Sequence, residues 1–183
     1  MIFTDQMDRQ ITLSHTPQRI ISLVPSQTEL LFDLGLKTKV IGITKFCIHP
    51  SHEVKQITKI GGTKKFDFDI IDSLNPDLII GNKEENYENG IEYLTKRYPV
   101  WMSDIYTLDD SLRMIRELGN ILDTLTKAHE IAQNIENSFQ DLPIVCNIPK
   151  VAYFIWRQPW MIATTNTFID HILQKIGFQN AFS

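Results

Sequence analysis

The sequence predicts an α/β fold in which two lobes with parallel sheets are joined by a long backbone helix, the second lobe being incomplete in this chain. Three observations predict it. Apolar β-branched runs alternate with helical patterns in the first half, a long helical segment without proline follows, and a strand and a helix come after that segment. The predicted parts are an N-terminal lobe, the backbone helix and the start of a C-terminal lobe, at residues 1–104, 105–142 and 143–183.

Five short runs have the apolar, β-branched composition of strands that are buried in a parallel sheet. They are Ile20–Val24, Val40–Thr44, Leu78–Ile80, Val100–Met102 and Val151–Ile155. Parallel strands bring their carboxyl ends to one edge, and open α/β sheets bind ligands in the loops at that edge. We therefore expect the functional residues in the loops that follow these runs.

Three helices are predicted between the strands of the first lobe. Ser26 opens the first with an N-terminal capping box, and Gly35 suits the left-handed position that closes it. The second covers Asp67–Leu74 and ends before a proline, which disfavours helical geometry in the residue that precedes it. The third covers Tyr87–Arg97.

The segment at 105–142 predicts one long helix. Thr107 is a good N-cap because acidic residues follow it, and apolar residues then recur at spacings of mostly three and four as far as Phe139. Gly119-Asn120 is the weak point, where two helices could replace one. A packed rod of this length would resist hinge bending between the lobes.

The part at 143–183 has room for one strand, a polar and aromatic loop and one helix, Thr167–Ile176, which Gly177 ends. One strand and one helix exclude too little surface from water to hold a core by themselves. We therefore expect the second lobe to need residues beyond this chain.

Composition and charge exclude several classes of function. The chain has 183 residues, 43% of them hydrophobic and 22% charged, with a net charge of −4, which gives no electrostatic reason to expect nucleic acid. Its longest apolar runs are far shorter than the roughly 20 residues that cross a bilayer. No secretory signal is visible at the N-terminus, so either the protein is cytoplasmic or its export signal is missing from the chain.

Catalysis and metal binding have little support in the residues. None of the usual nucleophile, zinc-protease or dinucleotide motifs occurs, so the protein is not expected to be an enzyme. Cys47, His49 and His52 offer three donors within a short loop, but a structural zinc site needs four, and no second pair of donors is evident. Neither a metal site nor a cofactor is expected.

Several segments, taken together and in order, resemble the helical-backbone receptor superfamily, the class III periplasmic binding proteins that serve ABC importers of cobalamin, haem and iron-siderophores. The likeness is closest to cobalamin-binding proteins and covers the chain from Arg19 onward. Besides the long helix, the segments that carry it are RIISLVPSQTELLFDLG, IGGTKKFDFDIIDSLNPDLIIGNKEEN, YPVWMSD and AYFIWRQPWM.

The resemblance implies a ligand cleft between the lobes, lined by loops from both. In the first lobe, Ser26 either only caps its helix or also meets the ligand, and Lys64 is either solvated or faces the cleft; both alternatives are open. His49 lies in a loop that borders the ligand in the family. The first-lobe candidates are Pro25, Ser26, His49, Thr63, Lys64, Asn82 and Lys83.

The second-lobe candidates are Trp156, Arg157 and Trp160. Two tryptophans offer broad apolar faces and the arginine offers a bidentate donor, which suits a large planar ligand such as a corrin. The alternative is that one of the two tryptophans packs into the core of the lobe.

By the same resemblance, an acidic residue past the third strand docks onto arginines of the membrane permease. Glu88 matches that position best, with Glu85 as its neighbour. The implied function is capture of cobalamin or a related corrinoid for an ABC importer, outside the cytoplasm. The alternatives are a siderophore or haem ligand, or a cytoplasmic α/β metabolic protein of unknown activity.

Overall fold

The computed structural model describes residues 1–143 and 147–182. The chain forms two compact units. The first comprises Met1–Asp104 and Leu118–Leu125, and the second comprises Ile105–Glu117 and Thr126–Ser183. None of the helices in the described part of the chain has the length and apolar character needed to cross a bilayer.

The elements are short and alternate along the chain. In order, the strands are β1 (Ile2–Thr4), β2 (Gln10–Thr12), β3 (Ile20–Ser22), β4 (Val40–Ile43), β5 (Thr58–Lys59), β6 (Gly61–Gly62), β7 (Lys65–Phe66), β8 (Leu78–Asn82), β9 (Val100–Ser103), β10 (Lys150–Val151), β11 (Phe154–Trp156), β12 (Met161–Ile162) and β13 (Gln179–Asn180). The helices are α1 (Pro25–Asp33), α2 (Phe68–Leu74), α3 (Glu88–Thr95), α4 (Leu108–Ile121), α5 (Leu125–Gln140) and α6 (Phe168–Lys175), with a 3₁₀ turn at Val54–Gln56.

A five-stranded parallel sheet with the strand order β5-β4-β3-β8-β9 lies at the centre of the first unit. Successive residues of a strand point to opposite faces, yet Ile20, Ile21 and Ser22 of β3 are all buried, so both faces of the sheet are covered. On one face, Ile79 and its neighbours pack with the inner sides of α2 and α3. The four first-lobe strands predicted from sequence are confirmed to within two residues.

Helix α1 begins earlier than its predicted cap. The N-cap is Val24, which makes no side-chain capping bond, and Pro25 occupies the first helical position. Proline starts a helix well because its φ is already helical and it has no N–H to leave unpaired. Ser26 therefore lies inside the first turn, and the prediction that it caps the helix is wrong.

The predicted glycine ends are confirmed. Gly35 has φ +81° and Gly177 has φ +81°. In α1 the N–H of Leu36 donates to the carbonyl of Leu31 at 2.9 Å, and in α6 the N–H of Phe178 donates to that of Leu173 at 2.8 Å. This six-to-one bond is the Schellman motif, which satisfies carbonyls that the end of a helix leaves free.

The same motif divides the segment that was predicted to be one helix. Asp123 takes the left-handed position with φ +58°. The N–H of Thr124 then donates to the carbonyl of Gly119 at 2.8 Å. The prediction of an unbroken helix is therefore wrong, and the alternative of two helices is confirmed, although the break lies just after Gly119-Asn120, between Ile121 and Leu125. Aspartate tolerates the left-handed region better than most residues, which is why no glycine marks the end of α4.

The second unit contains two short sheets. Strands β10 and β13 pair in parallel, and β11 and β12 form an antiparallel hairpin. The prediction of one strand over Val151–Ile155 is wrong, because that stretch is shared between the two sheets. Helix α6 is capped by Thr167, whose hydroxyl accepts from the N–H of Asp170 at 3.2 Å. The buried Asp170 in turn accepts from the amide of Asn180 at 2.9 Å.

Candidate functional site

Loops from neighbouring strands surround a depression of about 390 Å³ at the carboxyl edge of the five-stranded sheet. Each loop follows a different strand, namely β3, β4, β6 and β8 in turn. The lining residues are Val24, Pro25, Ser26, Phe46, Thr63 and Glu85. Four of them, Pro25, Ser26, Thr63 and Glu85, are residues that the sequence singled out.

A shallow groove of about 720 Å³ shares Phe46 and Thr63 with this depression. Its other walls come from the β6–β7 hairpin, and from Phe68 and two acidic residues at the start of α2. Lys45, Lys64 and Lys65 also line it. The two openings together present an apolar ring beside several cations, which suits a ligand with a flat apolar body and acidic groups.

Ser26 is exposed in the first turn of α1, and Pro25 beside it is half-buried. The first N–H groups of a helix have no partner within the helix, so this turn favours carbonyl or anionic groups of a ligand. Ser26 is itself one of the residues that line the depression.

In the loop after β4, Cys47 is buried in the core, whereas His49 and His52 lie at the surface. Cys47 is 1% exposed. Its Sγ lies 3.2 Å from the hydroxyls of both Thr28 and Thr44, so the thiol belongs to a buried polar cluster. His49 and His52 are exposed, and neither lines the depression. In the described part of the chain, no group of three or more histidine, cysteine or acidic side chains is arranged to hold a metal ion.

Thr63 and Lys64 occupy the turn of the β6–β7 hairpin. Thr63 is 8% exposed and lies against both openings. Lys64 is exposed, and its ammonium donates to the carbonyl of Glu84, which ties this turn to the loop after β8. The Lys64 side chain is therefore not merely solvated, because this hydrogen bond holds its ammonium at the rim of the groove.

Asn82 and Lys83, at the end of β8, are engaged by protein groups. The carboxamide oxygen of Asn82 accepts from the N–H groups of Glu84 and Glu85, each at 3.0 Å, and so forms the turn that carries them. Lys83 pairs with Asp104 at 2.6 Å. Neither residue lines the depression, and their ligand contacts stay predictions.

The two predicted docking residues face different openings of the first unit. Glu85 lines the depression. Glu88 is the first residue of α3 and lies in a separate pocket of about 410 Å³ with Arg9, Met7 and Met102 among its walls. Both carboxylates are exposed and thus accessible to a partner, and their docking role stays a prediction.

The predicted aromatic residues of the second unit lie on the β11–β12 hairpin. Trp156 is 63% exposed and Trp160 is 66% exposed, so neither packs into a core. The Trp160 ring stands at 5.3 Å from that of Phe154, edge to face, and the guanidinium of Arg157 lies over it at 5.7 Å. This hairpin displays a broad apolar face next to a cation.

Sequence reasoning missed two residues of the first unit. Phe46 is 51% exposed and lies between the depression and the groove. Its position just after the predicted strand Val40–Thr44 could have marked it as a candidate, because the loops that follow strands bind ligands in open α/β sheets. Asn86 is the other: it ends a run of polar and charged residues that begins at Asn82, but it is only 5% exposed.

The first unit is thus an α/β fold whose parallel sheet is covered on both faces and whose polar loops surround a depression at its carboxyl edge. Comparison with known families agrees: the profile described as "Periplasmic binding protein" matches residues 20–183. The chain belongs to the periplasmic binding protein family. This confirms the resemblance drawn from the sequence.

Two curated relatives match most of the chain. It is 28% identical over 194 aligned residues to the uncharacterized ABC transporter substrate-binding lipoprotein YvrC of Bacillus subtilis, covering 97% of this chain and 59% of that protein. It is 27% identical over 176 residues to the vitamin B12-binding protein of Pectobacterium atrosepticum, covering 91% of this chain and 63% of that protein. The chain thus spans about three fifths of the length of these relatives.

Solved structures share the fold. The periplasmic vitamin B12 binding protein BtuF of Vibrio cholerae matches with a TM-score of 0.78 at 20% identity, over 92% of this chain and 67% of that one. The siderophore binding protein BauB, bound to a complex of ferric iron with acinetobactin, matches with a TM-score of 0.84 at 16% identity, over 100% of this chain and 68% of that one.

Proposed function

We propose that this protein is an extracytoplasmic substrate-binding protein of an ABC importer and that it captures cobalamin or a related corrinoid. The observation that carries the proposal is the depression at the carboxyl edge of the first unit, where Phe46 stands beside Ser26 and Thr63. A flat ring and nearby hydroxyls match a corrin, which has an apolar macrocycle and amide-bearing side chains.

The aromatic hairpin of the second unit supports the same ligand class. Exposed tryptophan rings cost the protein solubility, so they are expected where a ligand or partner covers them. We propose that Trp156, Arg157 and Trp160 contribute an apolar face and a donor to ligand capture. The names of several relatives, which are vitamin B12-binding proteins, point in the same direction.

Titration with cyanocobalamin and cobinamide tests this function. Calorimetry and tryptophan fluorescence, on the chain and on a version extended at its C-terminus to the length of the relatives, are expected to give micromolar or tighter binding. Phe46→Ala and Trp160→Ala are each expected to weaken it by about tenfold, the loss of roughly one good aromatic contact. Phe182→Ala is the control, because Phe182 is 46% exposed but lines none of the openings described above. No corrinoid binding by the extended version would contradict the proposal.

A siderophore or haem is the second candidate ligand. The observation that favours it is the cation-lined groove with Lys45, Lys64 and Lys65, because catecholate and carboxylate chelates of iron carry acidic groups. Haemin and a ferric catecholate chelate belong in the same titration. Binding of one of these that falls on Lys45→Gln and Lys65→Gln, without corrinoid binding, would assign the site to an anionic iron chelate.

Delivery to a permease is the remaining part of the proposal. We propose that Glu88 meets a cationic pocket of the importer and that Glu85 acts as its neighbour. Exposed charges at an interface act mainly on orientation and on the rate of encounter. Glu88→Gln is therefore expected to lower transport in a reconstituted importer while leaving the affinity for the ligand unchanged. Glu29→Gln, at an exposed carboxylate of α1 that lines none of the openings described above, is the matched control.

A further inference from the structure

Asn86 is a buried side chain beneath the carboxyl edge of the five-stranded sheet. It is 5% exposed, and its carboxamide connects three chain segments. The oxygen accepts from the N–H of Asn82 at 2.9 Å. The amide nitrogen donates to the carbonyls of Leu23 at 3.4 Å and Thr63 at 3.3 Å, which are 63 and 23 residues away in sequence.

These partners define the orientation of the carboxamide. Its nitrogen faces two carbonyl oxygens and its oxygen faces an N–H, so the flipped orientation would set oxygen against oxygen and donor against donor. The fit is also tight. A Cβ added at Gly81 would lie 2.6 Å from the Asn86 oxygen and 2.7 Å from Met102 Sδ, so β8 leaves the carboxamide no room to shift toward it.

The bonded segments are the ones that line the depression. Leu23 directly precedes Val24, Pro25 and Ser26, and Thr63 is itself a lining residue. Asn82 forms the turn that carries Glu85. A single buried side chain thus joins three of the four loops of the opening without lining the depression itself.

We propose that Asn86 is the positioning residue of the ligand-binding edge: its carboxamide sets the spacing between the loops at Leu23–Ser26 and Thr63–Lys64. The inference rests on the proposed function. Two buried hydrogen bonds to loop carbonyls stabilise the edge before a ligand arrives, so less ordering remains to be done on binding. Asn86 would not contact the ligand itself; it would affect binding by holding Ser26 and Thr63 in position.

Asn86→Asp separates this role from plain stability. The aspartate keeps the acceptor for Asn82 but faces the carbonyls of Leu23 and Thr63 with a carboxylate. At neutral pH we expect cyanocobalamin affinity to fall by about tenfold, the effect of losing two such bonds. As the pH falls and the new carboxyl gains a proton, it can donate again, and affinity is expected to recover relative to the unmodified protein. Asn89→Asp, at an exposed position in α3, is the control and should match the unmodified protein throughout.

Amide hydrogen exchange without ligand decides the proposal independently of the ligand's identity. Asn86→Asp is expected to accelerate exchange at the amides of Val24, Ser26, Thr63 and Lys64 while leaving those of Ile79 and Ile80 in the sheet unchanged. Exchange that is accelerated equally in the loops and in the sheet would overturn the positioning role. Exchange and affinity that both stay unchanged would overturn it as well. If the unmodified protein binds none of the corrinoid or iron-chelate probes, the proposed function fails, and the exchange pattern still confirms or overturns the positioning role.

Discussion

The two candidate binding surfaces of this protein are built in opposite ways. The carboxyl edge of the first unit rests on a five-stranded sheet and on buried polar side chains such as Gln27, Ser103 and Asn86. The β11–β12 hairpin of the second unit is a two-stranded ribbon whose residues from Phe154 to Trp156 are all exposed. The first surface is held in shape by the protein, whereas the second is an apolar face with little beneath it.

The two surfaces are therefore expected to differ in how stably they are formed before a ligand binds. In the first unit, Gln27 donates to Ser103 Oγ at 2.8 Å and to the carbonyl of Gly81 at 2.9 Å, so the network under the edge specifies one arrangement of the loops. A two-stranded hairpin is only marginally stable in water without packing on one face. We therefore expect the first surface to be formed in the free protein and the second to be ordered mainly by what it binds.

The largest expected contrast is in stability. Ile79→Ala removes a side chain that is 0% exposed in the central core, and it should cost about 3 to 4 kcal/mol of unfolding free energy. Ile155→Ala on the hairpin, at 50% exposure, should cost less than about 0.5 kcal/mol. Urea denaturation followed by circular dichroism measures both. Equal losses would contradict the contrast drawn here.

The N-caps give a matched test with a smaller effect. Asp67 accepts from the N–H of Ile70 at 3.1 Å in α2, and Thr167 accepts from that of Asp170 at 3.2 Å in α6. Replacing either with alanine should cost about 1 kcal/mol of unfolding free energy, because each change leaves a helix N–H without its partner. A glycine at either position, which caps better than alanine, should recover part of the loss. A cost for Asp67→Ala but none for Thr167→Ala would show that α6 is not stably formed.

The smallest effect is a pH dependence at the start of α4. Burial by itself would raise the pKa of Asp110, but bonds from the Thr107 hydroxyl and from the N–H groups of Tyr106 and Thr107, with Arg113 nearby, bring that pKa below its ordinary value of 3.8. A carboxyl whose pKa is lower in the folded state stabilises the fold above its unfolded pKa. That contribution is lost as the pH falls through the folded pKa.

Asp110→Asn removes this contribution. We expect a deficit in unfolding free energy of less than about 1 kcal/mol at neutral pH, which shrinks toward zero as the acid limit is approached. Thermal melts of both proteins from neutral pH to about pH 3 measure it. A deficit that grows on acidification would have the wrong sign for a lowered pKa.

The sequence predicted the parts of the fold that hydrophobic pattern determines. Four strands of the central sheet follow from their apolar, β-branched composition. The ends of α1 and α6 follow from Gly35 and Gly177, because glycine adopts the left-handed conformation readily. The break at Asp123 did not, because its left-handed turn uses a residue that is also ordinary in helices. The start of α1 at Pro25 was misjudged because Ser26 matched a capping pattern that proline overrides.

For the candidate site, too, one part could be predicted from sequence and another could not. Loops at strand ends could be located from sequence, and the structure brings Ser26, Thr63 and Glu85 of those loops to one depression. Which side chains of those loops are buried could not be predicted, because burial depends on neighbours that are distant in sequence. Asn86, bonded to residues 63 and 23 positions away, is the clearest example.

The most direct test of the central claim, that ligand binds at the carboxyl edge of the first unit, is amide hydrogen exchange with and without saturating cyanocobalamin. We expect slower exchange on binding at Val24, at Ser26, at residues 45–47 and 61–64, and near Glu85. The opposite, amino edge of the same sheet, where Arg19 N–H donates to Asp77 at 2.8 Å, should be unaffected. Protection confined to that amino edge, or saturable binding without protection at the carboxyl edge, would contradict the claim.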